Sequence, residues 1–198
     1  MFSGIVEALG RVERIDQSLT GATITIEAGA FGRRLRKSES VCTSGVCLTV
    51  VGKRGSRFTV QLVPETLRCT TLGSLLVGGG VDLEASLRLN SLLGGHLVVG
   101  HVDGVGVVTR FAREGKGRRM TIRPPRELAR YMAMKGSVAV NGVSLTVAAL
   151  GRETFDVALI PYTLAHTTLG KAPAGTRVNL EVDLIARYVD RLLAIRKR

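Results

Sequence analysis

The chain contains no tryptophan, and three tyrosines with five phenylalanines bring its aromatic content to only 4%. That removes most of the flat side chains on which single-stranded nucleic acid stacks. Cysteine is also scarce: Cys42, Cys47 and Cys69 make an odd count without a C-x-x-C pair, and no histidine stands at zinc-finger spacing. Neither a disulfide framework nor structural zinc is expected. Reduced thiols fit the cytosol, so the expected location is cytoplasmic. The opening MFSGIVEALGR has no basic stretch ahead of an apolar one, so no signal peptide is expected. Apolar runs are broken by Gly, Asn and His well short of a membrane span, so no membrane partner is expected either.

Acidic residues are in short supply, 16 against 28 basic ones, for a net charge of +12. Such an excess draws anions, from small molecules to nucleic acids. The basic residues are scattered, however, over Arg33, Arg34, Arg36 and Lys37, over Lys116, Arg118 and Arg119, and over Arg196, Lys197 and Arg198. Each group sits in a glycine-rich loop or at the terminus, where a solvated charge run is the ordinary reading. With so few aromatics, no nucleic-acid role is expected.

What is abundant is apolar residue, 45% of 198 positions, together with 24 glycines. The chain can bury one large core or two modest ones, with short strands and tight turns. It also repeats itself. GIVEALGRV from Gly4 returns as GHVDGVGVV from Gly100, SGVCLTV from Ser44 as NGVSLTV from Asn141, PETLRCTTLG from Pro64 as PYTLAHTTLG from Pro161, and VGGGVDLEASL from Val77 as AGTRVNLEVDL from Ala174. The offset is 96 in the first block and 97 in the rest, so the register holds across the chain. A duplication is read, with domains at 1–95 and 96–184 and the boundary near RLNSLLGG.

Within each copy the pattern is mostly strand. RFTVQLV and TFDVALI alternate with period 2, and so do VDLEASL and VNLEVDL. The proline after each alternating run suits the first turn of a short helix, with glycine at its exit. A longer helix is expected over PPRELARYMAMKG, with Leu128, Tyr131, Met132 and Lys135 at helical spacing. About six strands per copy point to two small closed barrels, closure being the usual way to remove exposed edges. The tail, 185–198, has no counterpart in the first copy. Ile185, Tyr188, Val189, Leu192 and Ile195 share one helical face, and Asp183 can cap its start. It is read as an oligomerisation helix, with docking on its own domain as the alternative.

These blocks, with the opening MFSGIVE and the junction LGGHLVVGHVDG, resemble the riboflavin synthase family over nearly the whole chain. The resemblance implies an all-β fold of two six-stranded antiparallel Greek-key barrels plus a C-terminal helix, assembled as a homotrimer. It implies dismutation of two 6,7-dimethyl-8-ribityllumazine molecules to riboflavin and 5-amino-6-ribitylaminouracil, with no cofactor and no metal. It places the site between barrels of neighbouring subunits. A lumazine synthase capsid is a further partner that the basic charge leaves open. Two departures stand out: Ser44 where the family usually has Asn, and Asn90, Ser91 and Leu92 where an acidic residue is common.

Two identical substrates in opposite parts call for two similar pockets that differ in chemistry. Positions that agree between the copies, Gly4 with Gly100, Thr49 with Thr146 and Thr66 with Thr163, are expected to hold the shared ring. Around them the resemblance implies substrate contacts from Ile5, Val6, Ser40, Leu48, Gln61 and Glu65, and from Val102, Leu145, Ile160 and Pro161. Positions that differ are candidates for chemistry: Cys47 against Ser144, His101 against Ile5, and Lys135 against Ser38. A buried cysteine is ordinarily an inert small hydrophobe, but the resemblance makes Cys47 the active-site thiol, adding to C7 of one lumazine or directing water there. His101 is a candidate base or relay, Ser144 a hydrogen-bond or proton partner, and Lys135 a ligand for the ribityl chain or a lumazine anion. A non-catalytic lumazine or flavin binder on the same fold is the alternative, and such a binder needs neither Cys47 nor His101.

Overall fold

The computed structural model describes residues 1–195; the basic cluster Arg196, Lys197 and Arg198, with the end of the expected tail helix, lies outside the described residues. The first copy contains β1 (Ala8–Ser18), β2 (Gly21–Glu27), α1 (Gly29–Arg34), β3 (Ser40–Thr43), β4 (Val46–Arg54), β5 (Arg57–Leu62), α2 (Pro64–Cys69) and β6 (Gly80–Ala85). The second contains β7 (Gly104–Glu114), β8 (Gly117–Arg123), β9 (Ser137–Val140), β10 (Val143–Leu150), β11 (Phe155–Leu159), α3 (Pro161–His166) and β12 (Arg177–Val182), followed by α4 (Leu184–Ile195). Each set of six strands closes into an antiparallel barrel, in the order β1-β2-β5-β4-β3-β6 and, equivalently, β7-β8-β11-β10-β9-β12. No helix among the described residues is long and apolar enough to cross a membrane.

The period-2 pattern explains the cores. On β5, Phe58, Val60 and Leu62 turn inward and are buried, while Thr59 and Gln61 face out; on β11, Phe155, Val157 and Leu159 do the same. Each barrel is filled by such residues, Ile24, Ile26, Val50 and Leu83 in the first and Met120, Ile122, Val147 and Leu180 in the second.

A third, smaller apolar cluster, Phe2, Cys42, Val98 and Ala139, joins the barrels, with Cys47 packed against it. Phe2 and Val98 exchange backbone hydrogen bonds of 2.7 and 3.1 Å. Beside this cluster, β6 and β12 each send a polar side chain to the other barrel. The Asp82 carboxylate accepts the Thr168 N–H at 2.8 Å and the Thr168 hydroxyl. Asn179 Oδ1 accepts the Thr71 N–H at 2.7 Å, and its Nδ2 donates to the Ser44 carbonyl at 2.7 Å.

Four local expectations are corrected. The stretch after Pro125 forms only a short 3₁₀ helix over Arg126–Tyr131, with Leu128 and Met132 buried in the second barrel's core. Lys135 is not helical: it sits at φ +65°, mirroring Ser38 at +71°, and its N–H donates to the Val147 carbonyl at 2.9 Å. The glycines after α2 and α3 do not cap those helices. The helices end at Cys69 and His166, and a Cβ on Gly73 or Gly170 would lie 2.1 or 1.8 Å from the carbonyl oxygen of Leu67 or Leu164. Close approach is what selects glycine there. Finally, Arg33 and Arg34 lie in α1 rather than in a loop.

Candidate active site

The leading segment of each copy is anchored on its own barrel and reaches the other. Glu84 on β6 accepts the Ser3 N–H at 2.6 Å, the Ser3 hydroxyl at 2.7 Å and the Gly4 N–H at 3.0 Å. Glu181 on β12 accepts the Val99 and Gly100 N–H groups at 2.7 and 2.9 Å. Burial pushes both carboxyls above their ordinary range, against the pull of these donors. So held, Gly4 offers its carbonyl to the Ser144 N–H at 2.7 Å, and Gly100 offers its own to the Cys47 N–H at 2.9 Å. Val6 packs on the second barrel's core and Val102 on the first. The structure therefore groups Gly4, Ile5 and Val6 with Ser144, and Gly100, His101 and Val102 with Cys47. Both glycines sit at positive φ, +76° and +81°, and a Cβ on either would come within 2.6 Å of the facing Cβ of Ser144 or Cys47.

In the second barrel, Lys135, Ser144, Leu145, Thr146, Ile160 and Thr163 line one open cavity of about 350 Å³. Alternation on β10 explains the grouping: Ser144 and Thr146 point out of the barrel and Leu145 points in, so Leu145 reaches the cavity through its backbone. Pro161 opens α3, between exposed Ile160 and Tyr162, and the Tyr162 ring stacks on His166 at 4.0 Å. The strained turn at Lys135 brings its side chain to the same cavity.

One polar partner of this cavity escaped the sequence reading. His96, in the segment between the barrels, places Nδ1 2.7 Å from the Ser144 hydroxyl. Its Nε2 is buried and has no partner among the described residues. Burial holds its pKa below the ordinary histidine range, so the ring is neutral near pH 7. The signal was present in LGGH, but His96 lies between the two copies and has no counterpart against which to compare it.

In the first barrel the same alternation turns Cys47 and Thr49 outward on β4 and buries Leu48 in the core, so that Leu48 too can offer only backbone. Ser40 is the cross-strand partner of Thr49. Gln61 is exposed on β5, and Thr66 is half-buried on α2. Glu65, at the start of α2, accepts from Arg68 at 2.6 and 3.1 Å and from the Cys69 thiol at 3.0 Å, and these hydrogen bonds hold its carboxyl below its ordinary range. His101 is exposed, and Arg187 of α4 donates to its carbonyl at 3.5 Å. Among the described residues no imidazole hydrogen bonds to Cys47, so this pocket lacks the histidine pairing that Ser144 has. Ile5 lines a groove of about 790 Å³ with Glu7, Arg34, Glu84 and Gly94, none of which lines the Lys135 cavity.

Two closed barrels, each reached by the leader of the other, are the arrangement of a lumazine-binding protein, and the lumazine binding domain matches residues 3–86 and again 99–183. A riboflavin synthase of Brucella abortus (strain 2308) is 43% identical over 202 residues, covering 100% of both chains. One of Bacillus subtilis (strain 168) is 34% identical over 193 residues, 98% of this chain and 90% of that one. LumP complexed with riboflavin has the same fold, with a TM-score of 0.86 at 25% identity over 92% of this chain and 99% of that one. LumP complexed with 6,7-dimethyl-8-(1'-D-ribityl) lumazine gives 0.84 at 24% identity over the same shares. The chain belongs to the lumazine-binding family and, within it, to the riboflavin synthases.

Proposed function

We propose that the chain converts two molecules of 6,7-dimethyl-8-ribityllumazine into one riboflavin and one 5-amino-6-ribitylaminouracil, one ring bound in each kind of pocket. The observation that supports this most directly is the pairing of pockets alike in frame and unlike in reactive groups: Cys47 facing the Gly100 leader, and Ser144 with His96 facing the Gly4 leader. Thr49, Gln61, Glu65 and Thr66 ring the first lumazine, and Lys135, Thr146, Ile160 and Thr163 the second.

The C7 methyl of such a lumazine is acidic because its carbanion delocalises over the pteridine, so the residues need supply only a modest base. His101 relays that proton. Cys47 serves the other chemical need, adding to C7 or directing water to it. Ser144, oriented by neutral His96, donates to the ring on the opposite side. Holding two rings face to face is the larger part of the work, worth about 7–11 kcal/mol in favourable intramolecular cases. No cofactor enters this scheme.

His101 and Gln61 are exposed in the single chain, which supports a site completed by a neighbouring subunit of a homotrimer. Three free thiols support a cytoplasmic setting. The test is to incubate the purified protein with 6,7-dimethyl-8-ribityllumazine alone and follow riboflavin absorbance. The expected result is one aminouracil released per riboflavin. Tight binding without conversion would make the chain a lumazine or flavin carrier. Cys47→Ala is expected to lower turnover more than lumazine affinity.

A further inference from the structure

Cys42 and Cys47 face each other across the hairpin formed by β3 and β4, as a directly opposed cross-strand pair. Cys47 turns its N–H away from β3, to the Gly100 carbonyl. The two cysteines therefore occupy a non-hydrogen-bonded pair, where Cα atoms stand about 4.5 Å apart and facing Cβ atoms about 4.5–5.5 Å. A disulfide spans Cα separations of about 4.4–6.8 Å and Cβ separations of about 3.5–4.5 Å, so closing one needs only a small approach of the strands. Both side chains point to the same side: Cys42 is in the apolar cluster between the barrels, and Cys47 packs against that cluster. The second copy has Ala139 and Ser144 at the matching positions, so the thiol pair belongs to the first pocket alone.

We propose that Cys42 and Cys47 form a reversible disulfide under peroxide, and that this bond withdraws the Cys47 thiol from the first pocket. Half-buried Cys47 is the thiol that a small oxidant reaches, whereas Cys42 is buried at 2% exposure. Its sulfur attacks the peroxide O–O bond, giving a sulfenic acid and one water. The Cys42 sulfur then attacks the Cys47 sulfur, expelling a second water as the S–S bond forms. The two thiols lose two electrons and two protons in all, and the peroxide is reduced to two waters. Burial pushes the Cys42 thiol well above its ordinary pKa, chiefly by desolvation. It is thus inert towards bulk oxidant and reacts only with a sulfur already oxidised beside it, where proximity replaces thiolate population. Reduction by a cellular dithiol restores the pair. The disulfide itself follows from the strand geometry; its effect on turnover rests on the role proposed for Cys47.

Both cysteines lie in one tryptic peptide, Ser38–Lys53, between Lys37 and Lys53. The full-length protein would be treated with hydrogen peroxide, alkylated under denaturing conditions and digested. The expected product is this peptide two hydrogens lighter and resistant to alkylation, accompanied by loss of riboflavin formation, both reversed by dithiothreitol. Cys42→Ala, which installs the residue that the second copy carries at Ala139, is expected to keep basal activity. After peroxide it is expected to lose activity irreversibly, with Cys47 carried on to the sulfinic acid. Cys69→Ala is expected to behave as the unsubstituted protein does. A peptide in which Cys42 still alkylates while Cys47 is oxidised would overturn the disulfide. A fully formed disulfide with undiminished turnover would overturn the withdrawal of Cys47, and with it that residue's part in the reaction, while leaving the geometry intact.

Discussion

Ser144 and Cys47 stand at matching places on β10 and β4, and each receives a leader glycine on its N–H. They differ in what holds the side chain. The Ser144 hydroxyl is fixed by His96 Nδ1 at 2.7 Å, and that contact can be tested by choice of replacement. Asparagine puts a polar atom near the place of Nδ1, whereas glutamine puts one nearer Nε2. His96→Asn is expected to keep turnover close to that of the unsubstituted protein. His96→Gln is expected to lose roughly tenfold in kcat, the worth of one hydrogen bond of about 1.4 kcal/mol, with lumazine affinity little changed. The depressed pKa adds a second readout. The imidazole is neutral above its lowered pKa, so the unsubstituted protein should show an acid limb in kcat below the ordinary histidine range. His96→Asn should lack that limb. Equal losses in both variants, with unchanged pH profiles, would reduce His96 to a packing residue.

At the scale of elements, β6 and β12 each reach the segment after the short helix of the other barrel with nearly the same hydrogen-bond pattern, but one carries Asp82 and the other Asn179. Desolvation raises the Asp82 pKa from 3.8 to about 6, against the Thr168 hydrogen bonds that lower it. A folded-state pKa above the unfolded one means that the protonated form stabilises. Its contribution is complete below the unfolded value and is lost as pH rises through about 6. The difference corresponds to roughly 3 kcal/mol. Asp82→Asn copies the β12 arrangement and removes the titration. Denaturant unfolding should therefore show the variant gaining on the unsubstituted protein between about pH 4 and pH 7. Parallel stabilities across that range would mean that Asp82 ionises normally in the folded state.

Elements also show what could be read in advance. Strands came through because alternation such as Phe58, Val60, Leu62 reports a one-sided burial that the barrel satisfies. Asp183 was legible as a cap, and it does accept the Ile185 N–H at 2.9 Å. The helix expected to end at Lys135 failed because its apolar spacing records only that Leu128 and Met132 face one core, which a short 3₁₀ helix also achieves. The repeat exposed the two barrels but not the exchange of leaders. That exchange depends on Gly4 and Gly100 crossing between barrels, a tertiary event without a local pattern. His96 escaped because it stands between the copies, and its partner Ser144 lies 48 residues away.

For the whole molecule, the question is what α4 does. It is tied to the second barrel by polar contacts: Arg187 donates to both Asp103 carboxylate oxygens at 2.9 Å, and Asp190 accepts from the Tyr131 hydroxyl at 2.9 Å and from Arg130. Its apolar residues Ile185, Tyr188, Val189, Leu192, Leu193 and Ile195 are all exposed, none of them by less than 48%. A stripe of this kind, fixed in direction yet uncovered, suits packing against the same helix of other copies. Truncation before α4 would also strip Arg187 from Asp103, beside the His101 leader, so loss of activity alone would be ambiguous. Leu192→Glu separates the two effects, because it charges the stripe and leaves the Arg187 and Asp190 anchors in place. Sedimentation is expected to show monomers in place of the proposed trimers, and riboflavin formation per chain to fall at low protein concentration. The thermal unfolding of the barrels should shift little, since Leu192 is 65% exposed and outside both cores. A Leu192→Glu protein that stays trimeric would remove the helix from assembly. One that is monomeric yet fully active on dilution would show that each chain completes both pockets by itself.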